Sequence, residues 1–261
     1  MKQFILPSPP DSNGTIRLSG ADYHYLARVR RLKAGAVFDA RLPCGEEVRL
    51  AVQAVGSRSL RCAAEPRPRP PPAPQKDMPP VALFQALPKP SKMDIIVRQA
   101  AEGGIAEIAP FVSAYSPANA RASGSGIDLK IARWGRIIKE ARQQSGSAVS
   151  TVIRRPCSFQ DLIRYWESRK SPGAAGILLH QTFLSSGGFH EYLAAPPDLV
   201  VLAIGPEGGF SPSEAGALLA AGFKPALLGA AALRVETAAL YAAAAVRLIL
   251  LERESWMWKN S

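Results

Sequence analysis

Sulfur, histidine and acid are all scarce in this chain. Of 261 residues only three are cysteine and three histidine, and 21 acidic side chains face 32 basic ones. Cys44, Cys62 and Cys157 are odd in number and show no Cys-x-x-Cys spacing. They fit neither a disulfide framework nor a zinc site, and they read as reduced cytosolic thiols. With so few histidines, no metal is expected. The longest apolar run, Ala238 to Leu251, is too short to span a bilayer and carries Arg247. Pro7, Pro9 and Pro10 interrupt any apolar core near the N-terminus, which argues against a secretory signal. A cytoplasmic protein with no membrane partner is the expectation. The shortage of acid leaves a formal charge of +11 and a pI near 9.9. That imbalance implies a polyanionic partner, and nucleic acid is the usual one.

Proline is not scarce, and it divides the chain. Pro66 through Pro80 is crowded with prolines and nearly free of apolar residues, as in an extended polyproline spacer. The sequence therefore predicts a small domain over residues 1–70, a linker over 71–80 and a larger domain over 81–261. In the first, Val37–Leu42, Val48–Val52 and Leu60–Ala63 alternate apolar and polar residues, with Pro43-Cys44-Gly45 as a hairpin turn. A small β-barrel with one helix follows from that pattern. In the second, apolar strands alternate with helical stripes, predicting an α/β fold with a parallel sheet covered on both faces. Its strands are expected at Val81–Leu87, Ile105–Val112, Gly176–His180, Leu199–Ile204 and Ala226–Gly229.

The most informative segment is Ile204-Gly205-Pro206-Glu207-Gly208-Gly209-Phe210-Ser211. A continuous apolar strand empties into a loop of three glycines and a proline. A helix then begins with Ser211 as N-cap, Pro212 at N1 and Glu214 completing a capping box. Strand, glycine loop and helix is the arrangement in which open α/β sheets bind cofactors. No P-loop spacing and no Gly-x-Gly-x-x-Gly spacing occurs, and Glu207 would repel a pyrophosphate. A cationic ligand suits the loop better, and S-adenosylmethionine, with its sulfonium, is one. An ordinary glycine-rich turn is the alternative while this loop is taken alone.

A second segment, Leu228-Gly229 with Leu233-Arg234-Val235-Glu236-Thr237, leads into a long helix expected from Ala238 to about Glu252. Together the two segments resemble the knotted SPOUT superfamily of RNA methyltransferases. Closer still, the chain resembles the bacterial 16S rRNA uridine-N3 methyltransferase family. Ala86-Leu87-Pro88-Lys89 with Lys92-Met93-Asp94, then Gln99-Ala100-Ala101-Glu102-Gly103-Gly104-Ile105, then Arg133-Trp134 with Glu140-Ala141, carry the same likeness in order along nearly the whole chain. The resemblance implies a PUA-like N-terminal barrel, a deep trefoil knot in the final third and S-adenosylmethionine as methyl donor. It also implies a homodimer built on the last helix, and the small ribosomal subunit as substrate. Two departures remove positive charge: Ala231 stands where the family has arginine, and Ser147 opens a segment, through Thr151, where the family has arginine and proline.

Site residues follow from these two sources. Leu179, His180, Ile204, Gly205, Pro206, Glu207, Gly208, Gly209, Leu228, Gly229, Leu233 and Thr237 are expected to hold the cofactor. Arg234 is the candidate to stabilise negative charge spreading from N3 to the uracil carbonyls. It cannot be the base, because arginine stays protonated. Glu236 or Glu207 would accept the proton if desolvation raised its pKa toward neutrality, and water is the other acceptor. RNA contacts are expected from Arg17, His24, Arg28, Arg30, Arg31 and Lys33 on the barrel, and from Lys89, Lys92 and Arg133. Lys130, Arg133, Arg136, Lys139 and Arg142 recur every third residue, as a basic stripe that drifts round its helix. Methylation of another RNA, at a ribose 2′-hydroxyl or a tRNA base, and a non-catalytic role in ribosome assembly remain open at this stage.

Overall fold

The structure, a computed structural model, describes residues 3–66, 78–118, 120, 124, 126–180 and 187–257. Most of the proline-rich linker expected at 71–80 lies outside the described residues. The chain divides into two compact units, one comprising residues 1–74 and 142–150, the other 75–141 and 151–261.

The first unit is a five-stranded sheet. Strands β1 (Phe4–Ile5), β2 (Thr15–Ser19), β3 (Val37–Arg41), β4 (Glu47–Val55) and β5 (Ser59–Pro66) pair in the order β1-β3-β4-β5-β2. The expected alternation is visible in β4, where Val48, Leu50 and Val52 point inward while Glu47, Arg49 and Gln53 are exposed. Phe4, Leu18, Leu26, Phe38, Leu50 and Leu60 fill the core. The single helical segment is short and irregular. A turn of α-helix, α1 (Gly20–Tyr23), runs into a π-helical stretch, His24–Val29, and Arg31 follows at φ +55°. This segment displays Arg28, Arg30, Arg31 and Lys33 outward while Leu26 anchors it in the core.

The second unit has seven parallel strands. In chain order its elements are β6 (Val81–Ala86), α2 (Pro90–Glu102), β7 (Glu107–Val112), α3 (Ile127–Ser145), β8 (Val152–Ile153), β9 (Cys157–Ser158), α4 (Phe159–Arg169), β10 (Ala174–Leu179), α5 (Phe189–Tyr192), β11 (Leu199–Ile204), α6 (Pro212–Ala220), β12 (Lys224–Ala226) and α7 (Val235–Met257). The strand order is β12-β10-β11-β6-β7-β8, with β9 also on β7. Alternate residues of the apolar strands serve opposite faces. Leu83, Val200, Leu202 and Ile204 pack with α2, α3 and α7, whereas Phe84, Val201, Ala203 and Leu178 pack with α4 and α6. Burial on both faces is why these strands read as unbroken apolar runs.

Three expectations need correction. The last strand is Lys224–Ala226, not Ala226–Gly229: its partner β10 ends at Leu179, opposite Ala226, so nothing remains to pair with Leu227 onward. The last helix starts at Val235 rather than Ala238, because Arg234 already accepts the first helical hydrogen bond, from Ala238 N at 2.8 Å. The basic stripe on α3 does not stay at the surface. Steps of three residues fall about 60° short of a full turn each, so Lys130, Arg133 and Arg136 are exposed while Arg142 is buried. Burial, and then the charge of Arg41, lowers the Arg142 pKa.

Among the described residues no helix is long and apolar enough to cross a membrane. Cys44 is exposed, Cys62 is buried and Cys157 is half-buried. Burial pushes both the Cys62 and the Cys157 thiols up to about 11. Since the thiolate is the nucleophile, a maleimide at neutral pH should label Cys44 first and leave Cys62 unmodified until denaturant is added. Peptide mapping that finds Cys62 labelled in the native protein would contradict this packing.

Candidate active site

The C-terminal ends of β10, β11 and β12 open into one cavity of about 670 Å³, entirely within the second unit. The first wall is the glycine loop after β11. A Cβ on Gly205 would lie 2.8 Å from the carbonyl carbon of Gly209, so no side chain fits where the loop folds back on itself. Gly209 closes that fold at φ +74°, donating its N–H to the Pro206 carbonyl at 2.9 Å. Phe210 then turns inward and stacks on Phe111, ring centroids 6.2 Å apart.

Glu214 holds the far end of this loop. Its carboxylate accepts from Ser211 N at 3.0 Å and Ser211 Oγ at 2.9 Å, the reach-back of the capping box. It also accepts from Ser113 Oγ at 3.1 Å and Ala114 N at 2.8 Å, in the loop after β7. The capping box was legible in the sequence; the reach across to Ser113 and Ala114 was not. This second tie sets Tyr115 beside Gly208, where an added Cβ would meet the Tyr115 Cβ at 3.1 Å.

The second wall runs from Ala226 through Val235. His180, one residue beyond β10, donates its N–H to the Ala226 carbonyl at 3.3 Å, and both residues line the cavity. The third contribution is a lysine from α2. Lys92 Nζ stands 3.4 Å from Glu207 Oε1 and 3.5 Å from Glu236 Oε2. Burial by itself would raise the Glu207 pKa. Hydrogen bonds from its own N–H and that of Lys89, with the Lys92 charge, outweigh this and hold it below the ordinary glutamate value. The condition set for Glu207 as a base, a pKa lifted toward neutrality, is therefore not met.

Comparison with known proteins agrees with this geometry. An RNA methyltransferase domain family matches residues 75–247. The chain is 31% identical to ribosomal RNA small subunit methyltransferase E of a Synechocystis species, over 90% of this chain and 74% of that protein. It is 29% identical to the Mycobacterium bovis protein of the same name, over 94% of this chain and 91% of the relative. This chain belongs to the ribosomal RNA small subunit methyltransferase E family. The fold agrees as well: the crystal structure of the family's Neisseria gonorrhoeae protein bound to S-adenosyl methionine superposes with a TM-score of 0.77. At 19% identity the match covers 95% of this chain and 98% of that one.

Within this family framework, Leu179, His180, Ile204, Gly205, Pro206, Glu207, Gly208, Gly209, Leu228, Gly229, Leu233 and Arg234 all line the cavity. Thr237 does not; Val235 and Ala238 take the lining positions at the start of α7. Glu236 enters through its contact with Lys92, which lines the cavity although its lysine was assigned to RNA. Lys89 is exposed and touches the site through its backbone, and Arg133 is exposed and ion-paired with Asp94. Arg17, His24, Arg28, Arg30, Arg31 and Lys33 belong to the first unit, and all six are exposed. One buried polar residue went unforeseen. Gln85 is fully buried near the end of β6, level with Ile204, and its Oε1 has no hydrogen-bond partner among the described residues. A glutamine inside an otherwise apolar strand was the available signal.

Glu214→Ala would strand four buried or half-buried donors at once. It should lower the unfolding free energy by about 2–3 kcal/mol in urea denaturation. A loss below about 0.5 kcal/mol, the range of ordinary surface substitutions, would mean that the two loops do not depend on this carboxylate.

Proposed function

We propose that this enzyme methylates N3 of a uridine in the 16S rRNA of the small ribosomal subunit, using S-adenosylmethionine as donor, in the cytoplasm. The observation that carries this reading is the joining of a glycine cradle to the Glu207 carboxylate in one cavity at the strand ends, with Lys92 standing between Glu207 and Glu236. Gly205, where no side chain fits, and Gly209 bring bare backbone to the cavity wall. Glu236 Oε2 is a buried acceptor without a hydrogen bond among the described residues. Both features fit a ligand with an adenosyl group and positive charge, and the family's Neisseria relative was crystallised with this molecule. The donor, when bound, supplies a methyl group carried on a sulfonium.

The chain's own residues supply the rest. Glycines 205, 208 and 229 leave backbone groups open to the donor, while Leu228 and Leu233 offer apolar walls to its base. Glu207, held ionised, complements positive charge. Uridine N3 is a poor nucleophile until its proton leaves, and Glu236 is the remaining carboxylate to accept that proton. Arg234, exposed at the cavity mouth, would stabilise the negative charge on the flanking uracil carbonyls. The exposed arginines of the first unit would clamp RNA phosphates, releasing counterions. The five-stranded sheet, with its one helical segment, supports the PUA-like barrel reading. The trefoil knot rests on the family resemblance.

A homodimer built on α7 is part of the same reading. Leu240, Tyr241, Leu248 and Leu251 are exposed along this helix, the last three more than half. Beside them an apolar groove of about 300 Å³ runs between α7 and α2. An apolar helix face of this kind is usually covered by a partner.

Labelled methyl transfer to undermethylated small subunits, followed by nucleoside mass spectrometry, tests the activity. The expected product is 3-methyluridine, with the rate reduced about 10²–10³-fold by Arg234→Ala, as for loss of one charge-stabilising donor. Transfer only to tRNA or large-subunit RNA would move the substrate. Absence of both transfer and S-adenosylmethionine binding would leave an RNA-binding protein. Separately, Leu248→Glu with Leu251→Glu should convert a dimer to a monomer in light scattering, and a monomeric wild type would remove the dimer.

A further inference from the structure

An aromatic side chain stands at the rim of the cavity without belonging to its wall. Gly208 lines the cavity and is exposed at its edge. Tyr115, in the loop after β7, lies against it: a Cβ on Gly208 would come within 3.1 Å of the Tyr115 Cβ, 3.4 Å of its Cγ and 3.5 Å of its Cδ2. Tyr115 nevertheless remains 51% exposed. A single exposed apolar side chain is ordinary, but this one is held in an unusual way. Its turn is closed by the Ser116 N–H donating to the Ser113 carbonyl at 3.0 Å and by the Ser113 N–H donating to Ser116 Oγ at 3.1 Å. The buried Glu214 carboxylate fixes the same turn through Ser113 Oγ and Ala114 N. The backbone on both sides of Tyr115 is thereby pinned, so little ordering is left to be done when something binds its ring. A cation adjoins the same rim. Lys89 is exposed, and its backbone N–H donates to Glu207, the residue before Gly208, at 3.2 Å.

We propose that Tyr115 is a stacking platform for an RNA nucleotide next to the one that is methylated. This rests on the reading of the chain as an RNA methyltransferase whose target base enters the cavity. A base that reaches a donor held in a cavity has to leave its own stack, and its neighbour in the strand loses a stacking partner. Beside the rim, Tyr115 offers that neighbour an aromatic face in replacement. Every base has such a face, so the contact would contribute affinity and hold the strand in place without reading base identity. An aromatic ring with a cation close by is also the usual pairing on surfaces that bind single strands, the ring meeting the base and the cation the phosphate. The basic balance of the chain attracts phosphates, but charge alone does not fix where a base lies. The adenine of the donor is the other aromatic partner to consider. Tyr115 is not among the residues that line the cavity, which favours the RNA over the donor.

The test is steady-state methyl transfer to undermethylated small subunits by wild type, Tyr115→Ala, Tyr115→Leu and Tyr115→Phe. Donor affinity is measured alongside by calorimetry, and folding by thermal unfolding. Tyr115→Ala should raise KM for the subunits about 10-fold or more, within the range for loss of one base–aromatic stack. Its kcat and its donor affinity should change by less than about 3-fold, since the lost contact serves RNA binding. Tyr115→Leu keeps apolar bulk without the aromatic face and should resemble Tyr115→Ala. Tyr115→Phe keeps the ring and should restore the wild-type KM. Because the stack carries no charge, the dependence of log KM on log salt should have the same slope in Tyr115→Ala as in wild type.

An unchanged KM in Tyr115→Ala would overturn the platform, as would a wild-type KM in Tyr115→Leu, which would reduce the side chain to a packing role. A fall in donor affinity that accounts for the lost activity would place the ring on the donor and overturn it too. A wild-type enzyme that transfers methyl to no RNA would instead remove the reading on which the platform rests. If Tyr115→Ala fails to fold, the comparison of Tyr115→Leu with Tyr115→Phe reads the same difference.

Discussion

A strand covered by helices on both faces can carry polar chemistry only where it ends, because an unpaired polar group along its length would be buried without compensation. The central strands of the second unit obey this constraint. β6 and β11 are buried at every position. Their backbone groups are spent on each other in a parallel ladder that pairs Val200 with Val81 through to Ile204 with Gln85. Chemistry is displaced to the C-terminal edge. There β10, β11 and β12 release their loops at neighbouring points, and α2 begins beside them. The cavity is therefore a consequence of sheet order, and its glycines are a consequence of crowding at that edge. Gly205 and Gly209 approach each other so closely that a methyl group on the first would overlap the backbone of the second.

The same edge concentrates charge in an unusual sense for this protein. A chain with 32 basic and 21 acidic residues would be expected to line a functional cavity with cations alone. Instead Glu207 and Glu236 converge on Lys92, and a third carboxylate, Glu214, is sunk beneath the loop with every oxygen hydrogen-bonded. The three acids have different tasks because their partners differ. Glu214 is satisfied by neutral donors and acts as a structural tie. Glu207 is supported by backbone N–H groups and a cation, so it stays ionised and is a poor base. Glu236 has the Lys92 cation beside it, and its Oε2 accepts no hydrogen bond among the described residues.

How much of this was legible in the sequence depended on whether the signal was local. The β11 run, the glycine loop and the Ser211, Pro212, Glu214 punctuation are contiguous, and the structure has them as read. The strand before Gly229 and the start of the last helix were misplaced because each is settled by a distant residue or by context. Leu179 ends the available pairing, and the Arg234 carbonyl enters the helix before the apolar run begins. The contact of Lys92 with Glu207 and Glu236 joins residues more than a hundred positions apart and has no periodic signature. Strands β1 and β2 were missed for their brevity and polar flanks. The α4 helix escaped although Ser158 caps it, accepting from Asp161 N at 3.1 Å. The π-helical turn at His24–Val29 has no recognisable sequence signal, and its helical reading was right only in kind.

The departure at Ala231 gains physical meaning from the cavity. Ala230, Ala231 and Ala232 all line it and all are exposed, so the position where the family resemblance would place an arginine lies on the cavity rim. A guanidinium there would add a second cation close to Arg234. Its absence leaves the rim between Leu228 and Leu233 apolar. Lys92 is already committed to two carboxylates, and Arg234 on that rim has no carboxylate partner among the described residues. Negative charge developing on a bound base would then be met from one side only. In a partly enclosed site an opposite charge acts more strongly than it would in water, so a single well-placed guanidinium can suffice. On the proposed reading, the chemistry of this chain would rest more on Arg234 than the family pattern alone would imply.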